Sequence, residues 1–145
     1  MTKIYVVCGF PASGKSTYVM NRLGTNDLVY DYDELMRCIS GLPMWQSNKN
    51  VLPYLMDFYK RLLINIKYEK LISNVYIIKV FLDEQTLSIF NKCDNVQYLF
   101  IDTDPNVCLS RLKDRVDHCR NYEELLQKCI DKKNKGEYDM CEFIK

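Results

Sequence analysis

The residues best suited to chemistry form a glycine-rich segment near the N-terminus. This segment, the phosphate loop, reads GFPASGKST and fits the pattern G-x-x-x-x-G-K-[ST], which is typical of loops that bind nucleoside triphosphates. Its two glycines let backbone amides approach phosphate oxygens closely. Lys15 supplies a positive charge for the β and γ phosphates, and Ser16 offers a hydroxyl ligand to magnesium. The candidate binding residues are Gly9, Pro11, Ala12, Ser13, Gly14, Lys15, Ser16 and Thr17.

The segments on either side of the phosphate loop support this interpretation. An apolar run from Ile4 to Cys8 precedes it and predicts a buried parallel strand, while a helix is predicted from about Lys15 to Leu23. A strand, a glycine-rich turn and a helix in this order place the loop amides at a helix N-terminus, which favours anions. We therefore expect ATP with magnesium as the ligand, although the sequence leaves ATP and GTP undecided.

Asp33 is the first candidate for chemistry opposite the phosphates. It lies just after the second predicted strand, at the sheet edge where ligands of open α/β sheets bind. There Asp33 could accept or orient the proton of an acceptor hydroxyl, or it could only favour the positive end of its helix. Asp31 already serves as the predicted N-cap. Arg37, one turn further on, could hold an acceptor phosphate or simply pair with Asp33.

Two arginines near the predicted end of the fifth helix are candidates for a lid. Arg111 and Arg115 are spaced i, i+4, and arginines that close over a transferring phosphoryl group stabilise its charge. The alternative is a solvated helix face, on which Asp114 is a neighbouring charge. We expect the two arginines to act together.

A second pattern suggests a different enzyme class. Asp83 and Glu84 end an apolar run and are similar to the magnesium and water-activating pair of ATP hydrolases. Lys79 interrupts that run, and Asp83 could instead cap a helix. Trp45 could stack on an acceptor base or pack in the core.

The predicted elements alternate between strand and helix, which implies a parallel sheet with helices on both faces. We expect one α/β domain over residues 1–145. The strands are predicted at 4–8, 28–30, 75–82, 96–101 and 140–144. The helices are predicted at 15–23, 32–40, 53–71, 84–90, 105–115 and 122–136, with capping boxes at Asp31–Glu34 and Asn121–Glu124.

Composition narrows the possible partners. The chain has 145 residues, 48% hydrophobic and 27% charged, with a net charge of +1, so a general nucleic-acid or membrane-coating protein is not indicated. The N-terminal apolar run is too short for a membrane span or a signal peptide. Seven cysteines and one histidine show no zinc spacing and suggest reduced thiols, mostly in the core. We expect a cytoplasmic protein with no evident protein partner.

Three segments together resemble the small P-loop kinases, and most closely the bacteriophage polynucleotide 5′-kinase group and small phage or bacterial ATP-binding proteins. They are GFPASGKST, DYDELMR at 31–37 and SRLKDR at 110–115. The resemblance implies a three-layer P-loop NTPase fold with strand order 2-3-1-4-5. It also implies catalytic roles for Lys15, Asp33, Arg111 and Arg115, an acceptor-phosphate contact at Arg37, and magnesium at Ser16. Asp33 and Arg37 are four residues apart here, where the kinase pattern usually has three.

The leading hypothesis is therefore a kinase that transfers the γ-phosphoryl of ATP to a nucleotide-like acceptor, including a short nucleic-acid 5′ end. The first alternative is an ATP hydrolase in which Asp83 binds magnesium and Glu84 activates water. The second alternative is a nucleotide-binding regulatory module.

Overall fold

The computed structural model describes residues 1–115 and 122–145. Five strands are β1 (Lys3–Gly9), β2 (Asp27–Asp31), β3 (Asn74–Lys79), β4 (Val96–Ile101) and β5 (Glu142–Ile144). The helices are α1 (Lys15–Met20), α2 (Tyr32–Ser40), α3 (Leu52–Lys67), α4 (Glu84–Ile89), α5 (Pro105–Lys113) and α6 (Tyr122–Asn134). Within the described ranges, no helix is both long enough and apolar enough to cross a membrane.

The strands form one parallel sheet in the order β2-β3-β1-β4-β5, which confirms the predicted order. β1 lies at its centre, where Val6 is opposite Ile77 of β3 and Tyr98 of β4. Because all paired strands are parallel, their carboxyl ends lie at one edge of the sheet. That edge carries the phosphate loop after β1 and Asp33 after β2.

Alternating side chains of the sheet pack on its two faces. Val6 belongs to the larger core, which also includes residues of α3, α5 and α6, whereas Val7 belongs to a smaller core that includes Val19 of α1. Both valines of β1 are fully buried. The expected three-layer arrangement is therefore present, with most of the helical packing on one face.

Several predicted boundaries were wrong for identifiable reasons. β3 ends at Lys79 rather than at residue 82, and the Lys79 ammonium pairs with the Asp83 carboxylate beyond the strand. α3 ends at Lys67 rather than at residue 71, and the Glu69 carboxylate accepts the Leu71 N–H in the turn that follows. α1 ends at Met20 rather than at residue 23.

The predicted helix starts had mixed outcomes. Asp31 caps α2 by accepting the Asp33 N–H at 3.1 Å, as predicted. Its expected partner in the capping box, Glu34, instead pairs through its side chain with Arg37. The second predicted box begins at Asn121, which lies outside the described residues.

The cysteines of the described residues are free thiols. Four of them are buried, which confirms that most are core residues. These four are Cys8, Cys108, Cys129 and Cys141.

Candidate functional site

The phosphate loop joins β1 to α1 in a conformation that depends on its glycines. Gly14 has a φ of 97°, in the left-handed region that glycine adopts without steric cost. A Cβ on Gly9 would lie 2.5 Å from Ser13 Oγ and 3.2 Å from the Ile101 carbonyl oxygen, so a larger residue would force the Ser13 side chain to move. α1 begins at Lys15, and the first amides of a helix have no partner within it. The loop therefore presents amides at the carboxyl edge of the sheet.

Contacts from β4 and α5 hold the loop in place. Thr103, just beyond β4, donates its hydroxyl to the Ser13 carbonyl at 2.6 Å. Arg111 of α5 donates from its guanidinium to the Ala12 carbonyl at 3.0 Å. Both bonds use backbone carbonyls of the loop. The Ser13 hydroxyl takes part in neither bond. It is buried and has no hydrogen-bond partner among the described residues.

Lys15 is folded back onto the loop that carries it. Its ammonium donates to the Phe10 carbonyl at 2.7 Å and to the Gly9 carbonyl at 3.2 Å, and the residue is only 8% exposed. Burial lowers the pKa of Lys15 to about 8, and the negative charge of Asp33 opposes that decrease. The Asp33 carboxylate therefore favours the charged form of Lys15.

Asp31 contacts the predicted magnesium ligand. The Ser16 hydroxyl donates to an Asp31 carboxylate oxygen at 3.2 Å. Burial raises the pKa of Asp31, the charge of Asp33 raises it further, and the bond from Ser16 lowers it. Two neighbouring carboxylates that disfavour each other's charge are stabilised by a cation.

This group of oxygens fits a magnesium ion. Magnesium prefers oxygen ligands and is commonly held by one or two carboxylates together with substrate phosphates. Ser16 and Asp31 would hold it, because they offer a hydroxyl and a carboxylate beside the phosphate loop.

Arg37 has a partner other than the predicted Asp33. It pairs with Glu34 at 3.0 Å, and both side chains are 54% exposed. Surface pairs of this kind contribute little to stability, so a stronger anionic ligand could replace Glu34.

The two predicted lid arginines occupy different surroundings. Arg111 lies in α5 and contacts the phosphate loop, whereas Arg115 lies beyond the end of α5. The Arg115 guanidinium lies 4.0 Å from the Trp45 ring centroid and 5.4 Å from the Tyr122 ring centroid. α5 ends at Lys113 rather than at the predicted Arg115, so the two arginines do not lie in one helix.

Asp83 lies in a separate network of side chains. It accepts a hydrogen bond from the Thr86 hydroxyl, which also lies 2.6 Å from the hydroxyl of the buried Tyr59. Lys79 pairs with the same carboxylate at 3.5 Å. Asp83 occupies the N-cap position of α4 but makes no side-chain bond to the amides there, and Glu84 is exposed.

No protein-family model and no curated protein matches this chain, but solved structures do. The shikimate kinase from Bacteroides thetaiotaomicron matches with a TM-score of 0.61 and 14% identity, over 98% of this chain and 85% of that chain. The shikimate kinase from Aquifex aeolicus matches with a TM-score of 0.59 and 20% identity, over 99% and 84%. A chain of the Pnkp1/Rnl/Hen1 RNA repair complex matches with a TM-score of 0.66 and 14% identity, over 94% and 47%.

The fold is that of the P-loop kinases. At these identities the likeness extends to the fold alone, and the present chain spans about half the length of the RNA-repair chain. None of these three structures is a bacteriophage polynucleotide kinase, so that narrower resemblance stays a prediction.

Within this P-loop kinase fold, sequence reasoning missed three contributors to the site. Asp31 was interpreted only as a cap, although its spacing from Asp33 places two carboxylates at one strand end. Thr103 and Tyr122 gave no signal, because their contacts join segments that are distant in the sequence. Thr103 follows the carboxyl end of β4, and ligands of open α/β sheets bind at that edge. This position in the sequence could have indicated a role in the site.

Proposed function

We propose that this protein is an ATP-dependent phosphotransferase that moves the γ-phosphoryl of ATP to a hydroxyl of a nucleotide-like acceptor. One observation carries the proposal: the Asp31 carboxylate contacts Ser16, so the strand end that carries Asp33 lies against the phosphate loop. Donor-binding groups and a candidate base are thereby adjacent at one edge of the sheet.

The donor side would bind the triphosphate through the loop amides and Lys15. The Lys15 ammonium, now bonded to two loop carbonyls, would exchange them for phosphate oxygens. Ser16 and Asp31 would hold magnesium, which when bound neutralises charge on the β and γ phosphates. The buried Ser13 hydroxyl, which has no partner within residues 1–115 and 122–145, supports this assignment, since a polar ligand in the loop could satisfy it.

Asp33 would act on the acceptor hydroxyl. As a bond forms between the acceptor oxygen and the γ phosphorus, the bond from that phosphorus to the bridging oxygen breaks and ADP leaves. The proton of the hydroxyl passes to the Asp33 carboxylate. Arg37 would exchange its exposed partner Glu34 for a phosphate of the acceptor.

Arg111 and Arg115 would stabilise charge on the transferring phosphoryl group. Arg111 already contacts the phosphate loop, so it needs only a short movement. Arg115 must first leave the two aromatic rings that it covers. Arg115 is therefore the residue whose role depends most on closure of the site.

The hydrolase alternative has less support. Its metal ligand would be Asp83, but Lys79 and Thr86 already engage that carboxylate, whereas Asp31 contacts Ser16. A magnesium ion at Asp83 would have to compete with the Lys79 ammonium for that carboxylate.

We favour a nucleic-acid 5′-hydroxyl as the acceptor. The resemblance around Asp33 supports it, and a chain of an RNA repair complex shares the fold. Four exposed cations of α2, of the loop after it and of α3 could hold one or two phosphates of such an acceptor. They are Arg37, Lys49, Lys60 and Arg61.

The test is to incubate the purified protein with γ-labelled ATP, magnesium and a panel of nucleosides, nucleotides and 5′-hydroxyl oligonucleotides across a salt series. We expect labelled oligonucleotide, with transfer that weakens as salt rises because bound phosphates release counterions. Transfer to free nucleosides alone, with a flat salt response, would assign the protein to small-molecule kinases. Absence of transfer to every acceptor would refute the proposal and favour the hydrolase or the regulatory module.

A further inference from the structure

Trp45 is the only tryptophan of the chain and has an unusual backbone. It lies in the acceptor loop, which we define as residues 42–51 between α2 and α3. Its φ of 68° is in the left-handed region, which a bulky side chain rarely adopts. Backbone conformations of this kind persist where the surrounding structure enforces them, and they are concentrated at functional sites.

The contacts of Trp45 come from residues that follow α5 in the chain. The Arg115 guanidinium covers the indole ring at 4.0 Å from its centroid, and the Tyr122 hydroxyl donates to the Trp45 carbonyl at 3.3 Å. Both residues follow α5 in the chain, next to the segment at 116–121. Trp45 therefore links the acceptor loop to the segments that carry the lid arginine.

Hydrogen bonds connect the segments around the stack of Arg115 on Trp45 to the helix of the candidate base and to the donor site. Tyr32, at the start of α2 beside Asp33, lies within hydrogen-bonding distance of Ser47 in the acceptor loop, at 3.2 Å between their hydroxyl oxygens. Arg111, four residues before Arg115, contacts the phosphate loop. The acceptor loop is thus joined through Ser47 to the helix of the candidate base, and the indole is covered by Arg115, which follows the helix that contacts the donor site.

We propose that the half-buried face of Trp45 is the platform for a nucleobase of the acceptor, and that the base takes the place of the Arg115 guanidinium. This inference rests on the proposed kinase function. A guanidinium and a nucleobase are both planar groups that stack on an indole face. A sugar lacks the π face of a base, so the platform favours acceptors that carry a base.

Displacement of Arg115 has a second consequence. While the guanidinium covers Trp45, it is held away from its proposed position on the transferring phosphoryl group. Stacking of the acceptor base releases Arg115 when the acceptor hydroxyl is in place. Hydrolysis of ATP in the absence of an acceptor is therefore slow, because the lid arginine is still bound to the ring.

Fluorescence of the single tryptophan tests the platform directly. The protein saturated with ADP and magnesium is titrated with a 5′-hydroxyl oligonucleotide, with adenosine and with ribose, and excited where tyrosine does not absorb. We expect saturable quenching by the oligonucleotide and by adenosine, and none by ribose. An unchanged spectrum with the oligonucleotide would overturn the inference, even if that oligonucleotide is phosphorylated in a parallel assay.

Two substitutions separate stacking from folding. Trp45→Leu removes the aromatic plane, and we expect the KM for the oligonucleotide to rise by about tenfold or more while the KM for ATP is unchanged. Hydrolysis of ATP without acceptor should rise, because Arg115 is no longer held. Trp45→Phe keeps a ring and should preserve most of both properties. Equal acceptor KM values in the Leu variant and the parent would refute the platform, whereas the proposed function would survive as long as transfer continues.

Discussion

The donor and acceptor sides of the site are built by different kinds of contact. The phosphate loop is held through its own backbone: Thr103 and Arg111 donate to its carbonyls, and Lys15 bonds to two more. The acceptor side is joined to the lid by side-chain stacking, in which Arg115 covers Trp45 and Tyr122. Hydrogen bonds to backbone carbonyls do not depend on which side chains the loop carries. The stacking contacts, in contrast, require the particular side chains of this chain.

This difference separates the general part of the function from the specific part. Binding of a triphosphate needs amides, one lysine and a magnesium ligand, and these come from one short segment. Choice of the acceptor needs a pocket assembled from residues that are distant in the sequence. Substitutions on the donor side should therefore change ATP affinity, and those on the acceptor and lid side should change turnover.

Arg115→Ala should have the largest effect. If Arg115 serves the transition state, kcat should fall on the order of 10³-fold, while the Kd for ATP changes by less than about twofold. Steady-state kinetics and calorimetric titration measure the two quantities. Lys113→Ala, which removes another exposed charge near the end of α5, is the matched control and should behave like the parent. Unchanged kcat in Arg115→Ala would leave this residue with its contacts to Trp45 and Tyr122 and with no part in the transfer.

Lys15→Ala tests the donor side. Hydrogen bonds to charged groups contribute roughly 1.5–3 kcal/mol, so the affinity for ATP with magnesium should fall at least about tenfold. Isothermal titration calorimetry measures it, with Lys3→Ala as a control that removes an exposed lysine of β1. Equal affinity in Lys15→Ala and the parent would contradict triphosphate binding in this loop.

Asp31→Asn isolates the role of a carboxylate that also caps a helix. Asparagine is as good an N-cap as aspartate, so α2 should be retained and the melting temperature should change little. Loss of the charge beside Ser16 should raise the magnesium concentration for half-maximal turnover by about tenfold. A titration of activity with magnesium, together with thermal unfolding, measures both. An unchanged magnesium requirement would leave Asp31 with the capping role alone.

The pH dependence of ATP affinity should show the smallest effect. Burial lowers the pKa of Lys15 to about 8, so the lysine of the free protein loses its charge as the pH rises through that value. Affinity should therefore be highest below pH 8 and fall by about fivefold between pH 7 and pH 9, if the neutral form binds about tenfold more weakly. Lys15→Ala is the control and should show a flat profile over this range. A parallel fall in the variant would assign the effect to another group.

The sequence predicted two elements at their observed bounds because the information that sets those bounds is local. β4 at Val96–Ile101 and α2 at Tyr32–Ser40 were predicted at their observed bounds, since alternation, capping and a terminal glycine all act within a few residues. The strand order was implied by the resemblance and is confirmed.

The sequence could not predict the parts that depend on contacts between distant segments. β3 was predicted too long because Val80, Phe81 and Leu82 continue its apolar pattern, although the chain leaves the sheet after Lys79. The stack of Arg115 on Trp45 joins residues 70 positions apart, and no local pattern encodes it. For Asp31 the predicted capping role is confirmed, whereas its contact with Ser16 joins two separate segments that the capping pattern does not relate.

The central claim is that turnover depends on Asp33, at the strand end beside the phosphate loop, and not on Glu84. Its most direct test compares Asp33→Asn with Glu84→Gln in the same assay of γ-phosphoryl transfer to a 5′-hydroxyl oligonucleotide, with ATP affinity measured in parallel. We predict that Asp33→Asn lowers transfer on the order of a hundredfold or more while ATP still binds, and that Glu84→Gln has little effect. Loss of turnover in Glu84→Gln with normal turnover in Asp33→Asn would contradict the kinase and support the hydrolase.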